Sequence, residues 1–458
     1  MSNIIEYKKY IIVVQDNIAK FILNTKTNEM FSSNKTVCQI EEEIDGIVCD
    51  TYTDTDEVIS EQEDYKREVK NITVGMADRC NLKCTYCYAN EGTYNNAEKL
   101  IISDDVLERI DQIIWELSSE GVGSIHYFGG EPLLAADKIF NFCKRIVAEY
   151  KNKSAQLPKF SITTNGTLLS ADIVKKMKEY DFAVCVSLDG PKEIHDALRI
   201  SKDGRGSFDQ VMEGIQRLRQ KKMSFAVEAT IVSELFDSWS KSQLYQYFQF
   251  FIDIGANMIG FFSDVNEEMS STEKGEMLKT IKNFYSAMVD FYFERLLDEN
   301  STIPFISNVY SVLISLLSNK QAKMCRAGIN QIYLTPNGEI YPCQAYYAAN
   351  ASHMGNISDM DKFWEKHYKS SLDYPNRTPK LCVDCIYFRY CEAKCPGSNL
   401  LVTKEENGIT PIRCECAKII IHRVLENMAR IGNNKGLMNI FRKRFSEAVE
   451  ISRSMEVS

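Results

Sequence analysis

The sequence predicts an α/β chain built on a parallel sheet, with a small N-terminal unit before it and a cysteine-rich region after it. Three observations carry this. Six short apolar runs, separated by segments of helical spacing, recur between residues 71 and 265. An acidic stretch divides them from residues 1–50. Eight of the 15 cysteines fall between 325 and 416.

Taken in order, residues 9–14 and 19–24 alternate like two short strands, and residues 36–47 read as a helix with Asn34 and Thr36 as candidate caps. Residues 41–70 carry 12 acidic and 3 basic side chains, which accounts for the whole net charge of −9. The rest of the chain is neutral. That excludes a nucleic-acid binder, which needs a basic face to meet phosphates. The six apolar runs are 72–74, 125–128, 160–163, 183–188, 225–232 and 258–262. Among the intervening helices the clearest follows Ser103, with Val106, Ile110, Ile113, Ile114 and Leu117 on one face. Six such units imply a parallel sheet, either open and doubly wound or a partial barrel, with chemistry at the carboxyl ends of the strands.

Residues 266–324 read as mainly helical, including 305–317. From Cys325 to Cys416 the segments shorten and turn signals such as Pro336-Asn337-Gly338 appear. So little apolar periodicity points to a region stapled by metal. The tail from Ala417 is helical and then basic. With 44% apolar and 26% charged residues the composition is that of a globular protein. No signal peptide and no membrane-spanning stretch are evident, so a cytoplasmic location with no membrane partner is expected. In a reducing compartment, clustered cysteines read as metal or catalytic sites.

Cys80, Cys84 and Cys87 follow directly after the first strand of the sheet. Three cysteines this close can each ligate one iron of a cubane cluster, leaving the fourth iron open as catalytic metal sites do. Zinc would want a fourth ligand, and the nearest histidine, His126, lies within a strand. The C-x3-C-x2-C spacing, with Tyr86 before the last cysteine, is similar to the signature of the radical S-adenosylmethionine (SAM) superfamily. Gly129-Gly130-Glu131-Pro132 after the second strand resembles the motif that meets the SAM amino group. Glycines let backbone approach a ligand, and a carboxylate accepts from an ammonium. Thr164-Asn165-Gly166, Ser187-Leu188-Asp189-Gly190 and Arg199 look like the segments that hold the ribose and the SAM carboxylate. The resemblance implies a partial (β/α)6 TIM barrel, a SAM-binding [4Fe-4S] cluster on Cys80, Cys84 and Cys87, and radical catalysis. Tyr86, Gly129, Gly130, Glu131, Pro132, Thr164, Asn165, Ser187, Asp189 and Arg199 are its expected SAM contacts.

The later cysteines, Cys325, Cys343, Cys382, Cys385, Cys391, Cys395, Cys414 and Cys416, are similar in spacing to the SPASM domain of peptide-modifying radical SAM enzymes. That resemblance implies two auxiliary iron–sulfur clusters. One would take Cys382, Cys385, Cys391 and Cys414, the other Cys325, Cys343 and Cys395, with Cys416 surplus as a backup ligand or core thiol. Some members carry a further cysteine where this chain has Asn319. With three protein ligands, one iron is free to bind a substrate thiolate. Cys38, Cys49, Cys143 and Cys185 read as core residues.

These resemblances divide the chain into residues 1–70, similar to a peptide-recognition element plus linker, a radical SAM core at 71–290, a helical bridge at 291–324, a SPASM domain at 325–416 and a helical tail at 417–458. They imply a thioether-forming maturase. Its partners would be a Cys-containing precursor peptide with a leader and a flavodoxin or ferredoxin reductant. Carbon–carbon crosslinking and formylglycine formation on sulfatases are alternatives within the class, and a zinc-stapled binding protein is the alternative outside it.

Overall fold

The computed structural model describes residues 2–16, 18–50, 65–95, 100–265, 269–303, 305–318 and 324–457. The N-terminal unit is an antiparallel sheet in sequential order, β1 (Ser2–Tyr7), β2 (Tyr10–Gln15), β3 (Ile18–Asn24) and β4 (Met30–Ser32). Alternation in β2 and β3 gives it two apolar faces. Ile12, Val14 and Ile22 pack with Ile40 and Ile44 of the helix Val37–Asp50, while Ile11, Val13, Phe21 and Leu23 join the main core. Thr36 caps that helix: its hydroxyl accepts from the Gln39 N–H at 3.4 Å, and the Gln39 side chain accepts from the Thr36 N–H at 3.0 Å. Asn34 instead accepts from Lys20. Most of the acidic linker, residues 51–64, lies outside the described residues, as do Asn319 and the Cys49 side chain.

The six expected strands form: β5 (Asn71–Ala77), β6 (Ser124–Gly129), β7 (Lys159–Thr164), β8 (Ala183–Ser187), β9 (Phe225–Ile231) and β10 (Met258–Ser263). All pair in parallel and in sequence order. A doubly wound sheet reverses direction at a switch point; this one never does, so right-handed crossovers put every helix on one side. The result is a partial barrel. The helix Asp104–Leu117 shows the local logic. Ser103 accepts from the Val106 N–H at 3.2 Å, and Leu107, Ile110, Ile113, Ile114 and Leu117 are buried, with Val106 at the margin.

The cysteine-rich region is not a detached unit. β11 (Gln331–Leu334) pairs in parallel with β5, and β12 (Glu339–Tyr341) and β13 (Gly355–Asn356) continue the sheet to nine strands. Two expected boundaries fall inside helices. Position 290 lies within Ser271–Leu297, which a Ser270/Glu273 capping box starts and a buried face continues to Leu296. Position 416 lies within Pro411–Gly432. These two helices are clamped together at Asp290, which accepts from Arg423 twice at 2.7 Å and from Asn427 and Lys241 at 3.2 Å.

The N-terminal sheet is keyed to the same frame. The Asn28 amide donates to the carbonyls of Ser315, Leu316 and Ser318 at the end of the helix Ser307–Leu317, and accepts from the Tyr390 hydroxyl at 2.7 Å. Among the described residues no helix is long and apolar enough to cross a membrane.

Candidate active site

The loop after β5 carries Cys80, Cys84 and Cys87, and its base is shaped by the Gly129-Gly130 pair ending β6. A Cβ on Gly130 would lie 2.3 Å from the Arg79 carbonyl; Gly129 has φ +135° and a Cβ there would meet the Ala77 carbonyl at 2.6 Å. Only glycine lets the two backbones lie this close. The loop therefore rests on β6 through backbone bonds, Gly130 N–H to Ala77 and Glu131 N–H to Arg79, at 2.8 and 3.0 Å.

Donors converge on two of the three sulfurs. The Leu82 N–H and the Asn165 amide point at Cys80 Sγ, at 3.4 and 3.6 Å, and Arg199 Nη1 at Cys84 Sγ, at 4.0 Å. Burial pushes the Cys80 thiol up to about 12, with Glu131 adding and the Leu82 and Asn165 donors opposing. Donors that favour the thiolate suit sulfurs that ligate iron, since a bound cation deprotonates a coordinating thiol outright. His126 is occupied otherwise: its Nδ1 meets Ser161 at 2.8 Å and its Nε2 meets Thr163 at 3.3 Å. Burial pushes it down to about 4.

One cavity of about 1500 Å³ fills the barrel and reaches the C-terminal region. Cys80, Cys84, Cys87, Tyr86, Gly129, Gly130, Thr164, Asn165, Ser187 and Arg199 all line it. Glu131, Pro132 and Asp189 do not; they are buried behind the wall. Glu131 accepts from the N–H groups of Leu133 and Asn165 and from the Thr164 hydroxyl, at 3.0, 2.8 and 2.7 Å. Its carboxylate is thereby committed to joining the ends of β6 and β7. Burial raises it to about 7 against those three donors. Asp189 pairs with Arg199 at 2.9 and 3.2 Å and accepts from the Tyr86 hydroxyl at 2.6 Å and the Thr230 N–H at 2.9 Å. It aims Arg199 and Tyr86 and leaves Arg199 Nη1 toward the cavity. Of the expected contacts, Glu131, Pro132 and Asp189 thus do not face the cavity; Glu131 and Asp189 are bonded to residues that do, Thr164 and Asn165 in one case and Tyr86 and Arg199 in the other.

Cys185 is corrected as well, because it lines the cavity from β8 rather than the core, and Cys38 is exposed. Cys143 is fully buried beside the Tyr127 hydroxyl at 3.1 Å. Cys416 is buried and faces the cavity near Ser263 and Tyr285.

Those cysteines fall into two neighbourhoods. Burial pushes the Cys343 thiol up to about 12, with Cys395 and Cys325 adding to it. Burial pushes Cys382 up to about 11, with Cys414, Cys385 and Cys391 adding. These neighbours are those that the resemblance groups together. Lys394 sits by the second set, where burial lowers its ammonium to about 8 and Cys391 and Cys382 oppose. The first set adjoins the cavity, since Gln344 and Ala345, directly after Cys343, line it.

The same two parts emerge by comparison. The Radical SAM superfamily model matches residues 74–237, and the SPASM iron–sulfur cluster-binding domain model matches residues 325–386. The chain thus joins a radical SAM domain to a SPASM domain, and it binds SAM, a [4Fe-4S] cluster and auxiliary iron–sulfur clusters. It is 26% identical to the cysteine-type anaerobic sulfatase-maturating enzyme of Clostridium perfringens, over 78% of this chain and 96% of that one. It is 23% identical to the radical SAM cyclopropyl synthase TigE of Paramaledivibacter caminithermalis, over 83% and 81%. The solved structure of anSMEcpe with bound AdoMet and the Kp18Cys peptide shares the fold, with a TM-score of 0.64 at 23% identity, over 79% of this chain and 99% of that one.

Sequence reasoning missed Asp78, Tyr94, Glu228 and Tyr347. Glu228 projects into the cavity beside Ser187, its partner across β8 and β9, and burial raises its carboxyl. Its signal was available: an acidic residue in the middle of a strand of apolar alternation.

Proposed function

We propose that this chain is a peptide maturase that joins a cysteine sulfur of a ribosomally made precursor to a carbon of an acceptor residue. The observation that carries the reading is the shared cavity: Cys84, Cys87 and Arg199 line it, and so do Gln344 and Ala345, beside Cys343. When bound, SAM and the reduced cluster supply a 5′-deoxyadenosyl radical able to take a hydrogen atom from the peptide, and the auxiliary iron supplies a thiolate ligand site and an electron acceptor.

The residues divide the work. Cys80, Cys84 and Cys87 hold the SAM cluster. Arg199, aimed by Asp189, takes the SAM carboxylate, and Asn165 and Ser187 take its polar edge. Cys382, Cys385, Cys391 and Cys414 hold one auxiliary cluster. Cys325, Cys343 and Cys395 hold the other, with the three-ligand count leaving an iron for the peptide thiolate. The outer edge of β1, an end strand of its sheet, suits a leader peptide added as a further strand. A flavodoxin or ferredoxin supplies the electrons.

A second reading, formylglycine formation on a sulfatase, is favoured by the sulfatase-maturating relatives. Mass spectrometry of a co-expressed Cys-containing peptide separates the two. A thioether keeps the sulfur and loses two hydrogens per crosslink; formylglycine loses the sulfur. An unmodified peptide with intact deoxyadenosine formation would contradict the thioether reading.

A further inference from the structure

Between the SAM-cluster loop and the Cys343 site lies a cluster of tyrosines to which the chemistry above assigns no part. Tyr94 comes from the loop that carries Cys87, Tyr333 and Tyr341 from β11 and β12, and Tyr346 and Tyr347 from the short helix Gln344–Ala348 that begins directly after Cys343. Cys87 and Cys343 both pack against this cluster. Tyr347 is its hub. Its ring centroid lies 4.9 Å from Tyr94, 5.1 Å from Tyr341 and 5.6 Å from Tyr333. Its hydroxyl donates to Asp78 Oδ2 at 2.6 Å. Asp78 is fully buried, follows β5 directly and stands two residues before Cys80; its N–H is tied to the Leu100 carbonyl at 2.8 Å.

One side chain, four residues past Cys343, therefore touches both ends of the loop that carries Cys80, Cys84 and Cys87. It meets Asp78 at the start and Tyr94 at the finish. A short bond to a buried carboxylate is stronger than a neutral one and expensive to break. The helix after Cys343 cannot shift without moving the SAM-cluster loop.

We propose that Tyr347 is a positioning residue through which the Cys343 site holds the SAM-cluster loop in its binding geometry. The inference rests on the ligand assignment above but not on the kind of bond the enzyme makes. The coupling means that the radical-forming site is fully set only when the auxiliary ligand helix is in place.

The test uses the iron-loaded full chain carrying Tyr347→Phe, which keeps the ring and removes the donor. Iron content should match the parent. SAM binding should weaken about ten-fold, the effect of losing one hydrogen bond to a charged group. The EPR signal of the reduced, SAM-bound cluster should shift while the auxiliary signals stay. Asp78→Ala, which removes the acceptor, should give the same shift, and the double variant no more than either single change. Tyr341→Phe, which removes a hydroxyl elsewhere in the cluster, should leave the signal unmoved. Parental EPR and SAM affinity in Tyr347→Phe would overturn the proposal, as would an equal shift in Tyr341→Phe. If Tyr347→Phe loses iron, Asp78→Ala decides: a parental signal there overturns it too. Auxiliary iron lost in Cys343→Ala checks the ligand assignment separately.

Discussion

The two cysteine regions solve opposite problems. Cys80, Cys84 and Cys87 stand on one loop whose shape is imposed from outside, by the glycine pair of β6, by Asn165 and by the Asp189–Arg199 pair. Cys325, Cys343 and Cys395 come from three separate segments, among strands of two to four residues and short helical turns. The barrel strands and their helices supply most of one continuous apolar core, to which the later region adds residues such as Ile332, Leu334, Phe363 and Tyr390. The later region has less of its own, and its cysteines must be drawn together by what they bind. The comparison teaches that one cysteine region is shaped by the strands around it, whereas the other draws its cysteines from scattered short segments.

The largest expected effect breaks the first half alone. Cys80→Ala should abolish deoxyadenosine formation and remove one cluster's iron, leaving the auxiliary iron in place, as measured by iron content and product assay. Next, Cys382→Ala should open the second half alone. Limited proteolysis should then cut within 325–416 while fragments of the barrel stay intact; equal cleavage in both halves would erase the contrast.

A smaller effect is expected at Arg199→Lys. Lysine cannot reproduce the bidentate pairing with Asp189 and still face the cavity, so the SAM KM should rise about ten-fold with the fold unchanged. The smallest tests the joint between the halves. Asp290→Ala should cost about 2 kcal/mol in thermal or chemical unfolding, less than a fully buried pair because Arg423 is 36% exposed. Burial pushes the Asp290 carboxyl up, but Arg423, Asn427 and Lys241 together hold it below its ordinary value. A depressed value means the stabilisation is full above the ordinary carboxylate pKa and is lost as pH falls through the lowered one. The difference between parent and variant should accordingly shrink in acid.

Much of this was legible from residue order. The six strands of the sheet and the Ser103 cap follow from periodicity and capping residues, because each is a local signal; the grouping of the late cysteines came from a family resemblance, since its members are far apart in sequence. The strand order that makes the sheet a partial barrel is not local. Neither is the burial of Glu131 and Asp189, whose partners Thr164, Asn165, Arg199 and Thr230 come from other strands and loops. The expected boundary at 290 falls inside the helix Ser271–Leu297, which runs through it on one continuous buried face, a continuity that residue order did not reveal. The tyrosine cluster left no local trace, since its members lie on a loop, two strands and a short helix that meet only in the fold.

The central claim is that the SAM-cluster loop makes the radical and the Cys325, Cys343 and Cys395 site chooses the product. Cys343→Ala tests it most directly, with deoxyadenosine and modified peptide measured in the same reaction. The account predicts that deoxyadenosine still forms, less efficiently, while the crosslinked peptide disappears. Crosslinked peptide at the parental yield would contradict it.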